Sequence, residues 1–273
     1  TSRGCPYPCD FCVVPEITSR KWKGNSPEHV VEEMLTLKKK YGVNNFQIED
    51  LNPTVQEKRW LEIAKLLIDK KANINYFIVS GTKAETIRIN NVKLFAESGC
   101  KYISISPESG SPRLMKIIGK KFNYDHGINL VKECKKYNIT TQACFLVGHP
   151  DENNDDFELS KKYLKSLLKA GLDETAIFIV SSFAGSKLYQ SNSIKMSNSE
   201  NLISFTPVGR DGYDVLEKRR KILIRYFLFY KILNLSLLVS FFRSLFSTPK
   251  TKMENLPKRV FYIFFNILKN KIT

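Results

Sequence analysis

Apolar positions along residues 1–190 follow two alternating rhythms, and the alternation predicts helices and strands in turn. Val30, Val31, Met34, Leu35 and Leu37 line one helical face. Ser26-Pro27-Glu28 opens that helix with a capping hydroxyl and a proline at the first helical position, and Gly42 closes it. Residues 45–49 read as a short strand. Residues 60–68 are amphipathic, with Leu61, Ala64, Leu67 and Ile68 together. Residues 75–79 form the next strand, with Ser80-Gly81 as its turn, and 92–97 a helix that stops at Ser98-Gly99. Residues 101–106 read as a strand closed by Pro107, 124–137 as a helix and 140–147 as a strand. A helix over 157–169, ended by Gly171, and a strand over 175–180 complete the series.

Strands separated by helices argue for parallel β-α-β units. Right-handed crossovers curl such a sheet into a partial or full α/β barrel. The five strands and a stub at Thr1 fit a partial (β/α)6 barrel whose first strand is largely missing. Residues 191–212 are polar and rich in turn formers, which suits a linker or lid.

Cys5, Cys9 and Cys12 follow the spacing C-x3-C-x2-C within eight residues. A structural zinc site wants four ligands, usually in two pairs, and no second cysteine pair follows. Cys100, Cys134 and Cys144 are single and scattered, and read as small buried apolar residues. A cubane iron–sulfur cluster normally takes one thiolate per iron. Three thiolates on one tight loop therefore hold three irons and leave the fourth open to a ligand. Pro6 and Pro8 stiffen such a loop, and Gly4 lets backbone pass close to an inorganic core.

The triplet, with Phe11 just before its last cysteine, resembles the radical S-adenosylmethionine (radical SAM) superfamily. The longer string from Thr1 to Cys12 is similar to the members that carry an N-terminal cobalamin-binding domain. Ser106-Pro107-Glu108-Ser109-Gly110-Ser111, followed by Lys120 or Lys121, is similar to a turn of that group. Phe145-Leu146-Val147-Gly148-His149-Pro150-Asp151-Glu152 and Ser182-Phe183-Ala184-Gly185-Ser186-Lys187-Leu188-Tyr189 resemble two later segments. The likeness covers residues 1–190. Ile48-Glu49-Asp50 lacks the glycines of the family's turn, and Phe183-Ala184 stands where the family has proline. The chain opens on Thr1 directly before the cysteine loop, so it reads as a fragment without its cobalamin domain.

The resemblance implies a [4Fe-4S] cluster on Cys5, Cys9 and Cys12, with S-adenosylmethionine on the open iron. It implies cobalamin as well, through the absent domain. One electron from the cluster cleaves a carbon–sulfur bond of the bound sulfonium, and a ferredoxin or flavodoxin supplies that electron. Ligand positions in parallel barrels lie at the carboxyl ends of strands. Glu49, with Asp50 in reserve, is assigned to the methionine amino group, and Ser80 lies at the next strand end. Glu108 and Ser109 suit the ribose hydroxyls. Val147 and Gly148 suit the adenine, which Phe11 touches from the cysteine loop. Lys120 or Lys121 neutralises the methionine carboxylate. His149 reads as structural.

Charge adds one further expectation. The net charge is +16, and residues 214–273 hold 13 Lys or Arg against 3 Asp or Glu. This points to an anionic partner surface. Residues 222–246 are rich in Leu, Ile, Phe and Tyr, yet their longest uncharged run, 232–242, has 11 residues. A helix needs about 20 to span a bilayer. Residues 260–268 form a second apolar stretch. The basic, amphipathic extension over 213–273 therefore either packs on the barrel or the absent domain, or lies on a membrane surface. Nucleic acid is the weakest of the three partners, because the stretch is too apolar.

Six cysteines without paired spacing suit a reducing cytoplasmic compartment, with contact on the inner membrane face left open. The combined reading is an enzyme acting on an unactivated carbon of a small, hydrophobic or lipid-like substrate, by methyl transfer or cyclisation. Two rivals stay open. One is a methylthiotransferase-like enzyme that modifies RNA, and the other a truncated scaffold without catalysis.

Overall fold

The computed structural model describes residues 1–195 and 207–233. They belong to two compact units, Thr1–Leu223 and Ile224–Thr273. The first contains a parallel sheet of β3 (Asn45–Ile48), β4 (Asn75–Thr82), β5 (Cys100–Glu108), β6 (Thr140–Val147) and β7 (Glu174–Ile179), with neighbours in chain order. Helices α2 (Pro27–Tyr41), α3 (Glu57–Asp69), α4 (Val92–Glu97), α5 (Pro112–Ile117), α6 (Tyr124–Lys136) and α7 (Asn154–Ala170) lie between or before these strands. This is the partial α/β barrel that the alternation predicts. Every strand points the same way, so their carboxyl ends collect on one rim.

Local chemistry explains the element ends. The Ser26 hydroxyl accepts the His29 N–H at 3.2 Å to start α2. Gly42, at φ +68°, ends it by donating to the Lys38 carbonyl. Asn153 and Asp156 form a reciprocal capping box at the start of α7, three residues before the expected helix. Strand β6 alternates buried Thr141, Ala143, Phe145 and Val147 with half-buried Gln142, Cys144 and Leu146. Such alternation gives one face to the helices and the other to the barrel interior. Beneath the sheet, Trp60 of α3 packs edge-on against Tyr76 of β4, with ring centroids 5.7 Å apart, and both are fully buried.

Two strands run further than their punctuation suggests. Ser80 and Gly81, expected as a turn, lie inside β4, which resumes pairing at Thr82↔Ile105 after an irregularity. Pro107 likewise does not close β5. The register shifts between Ile105 and Glu108, which absorbs a residue lacking an N–H.

The stub at Thr1 behaves differently from a barrel strand. Here β1 (Ser2–Gly4) pairs antiparallel with β2 (Trp22–Gly24), in a ribbon separate from the parallel sheet. Asp50 fastens that ribbon to the end of β3. Its Oδ1 accepts from the Thr1 nitrogen at 2.8 Å, and its Oδ2 accepts from the hydroxyls of Thr1 and Ser2. Arg59 of α3 adds bonds to the carbonyls of Asn25 and Thr1, both at 2.6 Å. Gly4 serves the ribbon too: at φ +82°, a Cβ there would stand 2.0 Å from the Lys21 carbonyl oxygen. The glycine is thus required by neighbouring backbone.

Short helix α1 (Val14–Ile17) follows the cysteine loop, and α8 (Lys187–Gln190) follows β7. Helix α9 spans Tyr213–Leu233. Among the described residues, no helix is long and apolar enough to cross a membrane. The apolar stretch over 260–268 and most of that over 222–246 lie outside the described residues.

Candidate active site

The cysteine loop joins β1 to α1. Cys5, Cys9 and Cys12 are unbridged and partly buried. A tight turn closes the latter two, with the Cys12 N–H donating to the Cys9 carbonyl at 3.2 Å. Burial pushes the Cys9 thiol up to about 12; Lys120 opposes that rise, while Glu108, Cys12 and Cys5 add to it. Burial also raises Cys12, against the backbone N–H of Val14, and Cys5 raises it further. The loop is seated just before Lys120: the Asp10 N–H donates to the Ile118 carbonyl at 3.0 Å, and a Cβ at Gly119 would stand 2.9 Å from the Pro8 carbonyl oxygen.

Phe11 acts as the loop's apolar anchor. It packs against Leu114, Met115 and Ile118 on one side and against the Val180, Leu188 and Ile194 cluster on the other. A ring gripped by two clusters positions the loop.

The rim of the sheet carries most of the residues singled out in the sequence. Glu49 is exposed between buried Ile48 and Asp50, so its carboxylate is open to a ligand, whereas both oxygens of Asp50 are engaged by the β1 segment. Ser80 is half-buried within β4. Glu108 ends β5 in the left-handed region, at φ +59°. Its Oε1 accepts from Lys120 Nζ at 2.6 Å, and the same ammonium donates to Ser106 Oγ at 2.8 Å. Ser106 in turn donates to the Gly81 carbonyl at 2.5 Å. Burial alone pulls the Lys120 ammonium down, but Glu108 and Cys9 together hold it above its ordinary value. Of the two candidate lysines, Lys120 is the buried one and Lys121 is exposed.

Two assignments on the rim meet occupied space. Ser109 is turned towards α7: its hydroxyl lies 3.0 Å from Ser160 Oγ and accepts the Ser111 N–H at 3.1 Å. Those bonds consume the group intended for a ribose. Val147 is buried and its carbonyl accepts the Val180 N–H. Gly148, at φ +83°, donates to Glu152 Oε2 at 2.7 Å, and a Cβ there would come 2.6 Å from Leu216 Cδ1. The space that glycine frees is filled by Leu216 of α9.

Three residues of the site had no role assigned to them from the sequence. Asp10 sits inside the cysteine motif and bonds His149. Ser106 links Lys120 to the β4 backbone. Arg210 is buried and donates to the carbonyls of Gly148 and Val180, joining the ends of β6 and β7. Burial lowers Arg210 to about 10, with Glu152 opposing. A turn-rich Gly-Arg-Asp-Gly string gives no hint that its arginine is interior; an arginine amid the cysteine loop's neighbours would have been easier to suspect.

Residues 1–176 match the Radical SAM superfamily. The chain belongs to that superfamily. Radical SAM enzymes use a [4Fe-4S] cluster and S-adenosylmethionine, and take electrons from an external donor. Over 190 residues the chain is 30% identical to an uncharacterized methyltransferase, PH0819, of Pyrococcus horikoshii, covering 70% of this chain and 40% of that protein. It is 28% identical over 195 residues to cytidylyl-2-hydroxyethylphosphonate methyltransferase of Streptomyces wedmorensis, covering 69% and 36%. The chain thus spans well under half the length of these curated relatives. Among solved structures, the radical SAM methyltransferase TsrM of Kitasatospora setae, with cobalamin and a [4Fe-4S] cluster bound, superposes with a TM-score of 0.61. That match has 16% identity and covers 69% of this chain and 37% of TsrM, so it speaks for the fold.

The residues of this radical SAM core fit a cubane. Among the described residues, no three or more His, Cys, Asp or Glu side chains gather as for a single metal ion. A cubane asks for something else, one thiolate per iron around a core. Three unbridged, partly buried thiols on one loop offer three of those thiolates and leave one iron for another ligand.

Proposed function

We propose that this chain is the radical-generating core of a cobalamin-associated radical SAM enzyme that acts on an unactivated carbon of a hydrophobic small molecule, by methyl transfer or cyclisation. The observation that carries the reading is the seating of the cysteine loop on the Ile118–Gly119 turn, which leads directly into the buried Lys120–Glu108 pair at the carboxyl rim of the sheet. In this reading Cys5, Cys9 and Cys12 hold the cluster, which when bound supplies one electron for cleaving a carbon–sulfur bond of S-adenosylmethionine. Glu49 accepts from the methionine amino group. Lys120 offers its ammonium to the methionine carboxylate, and Glu108, relieved of that partner, accepts from a ribose hydroxyl. Phe11 and its two apolar clusters exclude water from the loop. A reduced ferredoxin or flavodoxin is the donor. The likeness to methyltransferases supports the reaction class, and the apolar, basic composition of residues 213–273 supports the hydrophobic substrate.

Anaerobic reconstitution with iron and sulfide tests the ligand set. Wild type is expected to bind about four irons per chain, and Cys5→Ala, Cys9→Ala and Cys12→Ala to lose the cluster. Full retention in any one of the three variants overturns the assignment.

A further inference from the structure

Asp10 lies between Cys9 and Cys12 and is held from three sides. Its N–H donates to the Ile118 carbonyl at 3.0 Å, and its carbonyl accepts the Leu188 N–H at 3.0 Å. Its Oδ2 lies 2.9 Å from Nε2 of His149, whose side chain is 2% exposed. The third tie has a fixed sense. His149 Nδ1 accepts the Asp151 N–H at 3.2 Å, so the ring proton sits on Nε2 and points at Asp10. The other oxygen of Asp10, Oδ1, is buried with no hydrogen-bond partner among the described residues. The carboxylate therefore depends on His149.

The geometry of these ties has a consequence for the loop. Two backbone bonds tie Asp10 to Ile118 and Leu188, and the Cys12 N–H closes the turn on the Cys9 carbonyl. Among the described residues, the bond to His149 is the one side-chain tie of Asp10, and it reaches the end of β6. We infer that His149 is a positioning residue for the cluster, acting through Asp10: the pair clasps the Cys9–Cys12 turn to the end of β6 and sets the direction in which these two thiolates meet the irons. The inference rests on the proposed ligand set and adds a residue 139 positions away from the motif. Clusters respond to such control, because their properties depend on hydrogen bonding, net charge and solvent exposure around the sulfurs.

The test compares wild type with His149→Ala, His149→Gln, Asp10→Ala and Cys9→Ala after anaerobic reconstitution. The readouts are iron per chain, the rate of iron release to EDTA, and the electron paramagnetic resonance spectrum of the dithionite-reduced cluster. His149→Ala and Asp10→Ala are expected to release iron about 10-fold faster than wild type, in line with the loss of other outer partners of metal ligands, and to show altered g-values. His149→Gln keeps an N–H donor at a similar reach and is expected to restore both properties. Wild-type release and spectra in His149→Ala, alongside cluster loss in Cys9→Ala, overturn the clasp and leave the ligand set standing. A full cluster in Cys9→Ala overturns the ligand set instead. Should His149→Ala fail to fold by circular dichroism, Asp10→Ala decides alone, its side chain being the more exposed of the two at 19%.

Discussion

Lys120 Nζ lies 2.6 Å from Glu108 Oε1, and both side chains are more than nine-tenths buried. Two such charges are costly to desolvate, and each is tolerable because the other is present. Lys120→Met leaves Glu108 as an unpaired buried carboxylate. It is expected to destabilise the fold by about 3–5 kcal/mol, read as a lower urea midpoint. Glu108→Gln/Lys120→Met removes both charges and is expected to recover much of that loss. A single variant as stable as wild type contradicts the pairing.

Gly148 and Leu216 share one volume. Gly148→Ala combines a left-handed backbone with a side-chain collision, and an L-residue in that region costs about 1–2 kcal/mol before the collision is counted. Adding Leu216→Ala is expected to return the collision part. The double variant should therefore be more stable than the sum of the singles, by a coupling of about 0.5–3 kcal/mol typical of touching residues. Thermal melting of the four proteins measures it. Strict additivity means that Leu216 does not cover Gly148.

The six cysteines divide by burial. Cys100 and Cys134 are 1% and 0% exposed, and burial pushes the Cys100 thiol up to about 12. Iodoacetamide applied to the native, cluster-free protein at pH 8 is expected to spare both and to reach the partly buried motif first at Cys5, with Cys9 slow because burial also pushes its thiol up to about 12, and cluster loading should protect the motif. Mass spectrometry of peptides reads the pattern. The same shift has a sign in stability. An unfolded thiol ionises near about 8.5, while folded Cys100 keeps its proton until about 12. The unfolded state then binds fewer protons, so its contribution falls as pH rises between those values. Cys100→Ala should flatten the loss of stability on the alkaline side.

Much of the fold was legible because its elements announce themselves locally. Ser26, Pro27 and Gly42 bracket α2, and β6 alternates along its whole length. The signal for α5 was also present, since Ser111-Pro112 repeats the Ser26-Pro27 opening, but six residues are too few for a periodic face. Ser80-Gly81 misled because glycine punctuates most chains, while here β5 approaches so closely that a Cβ at Gly81 would stand 2.8 Å from Ser106 Cβ. The ribbon of β1 and β2 has three residues per strand, below what a period of two can reveal.

The site was legible where chemistry is written in spacing, as in the three cysteines, and opaque where it depends on long-range contact. Residue type and strand ends pointed to Glu108 and Lys120, yet only their meeting shows that each is the other's partner. Ser109 looked equivalent to Glu108 in sequence; a difference of one position turns it to Ser160 on the far side. No local pattern joins Asp10 to His149.

The most direct test of the account is whether S-adenosylmethionine reaches the open iron. Electron paramagnetic resonance spectra of the reconstituted, dithionite-reduced protein, recorded with and without S-adenosylmethionine, measure this. The account expects a cubane signal whose g-values change on adding the nucleotide, and the change should be lost in Glu49→Ala/Lys120→Met. A cubane spectrum that is identical in the presence and absence of saturating S-adenosylmethionine would contradict it.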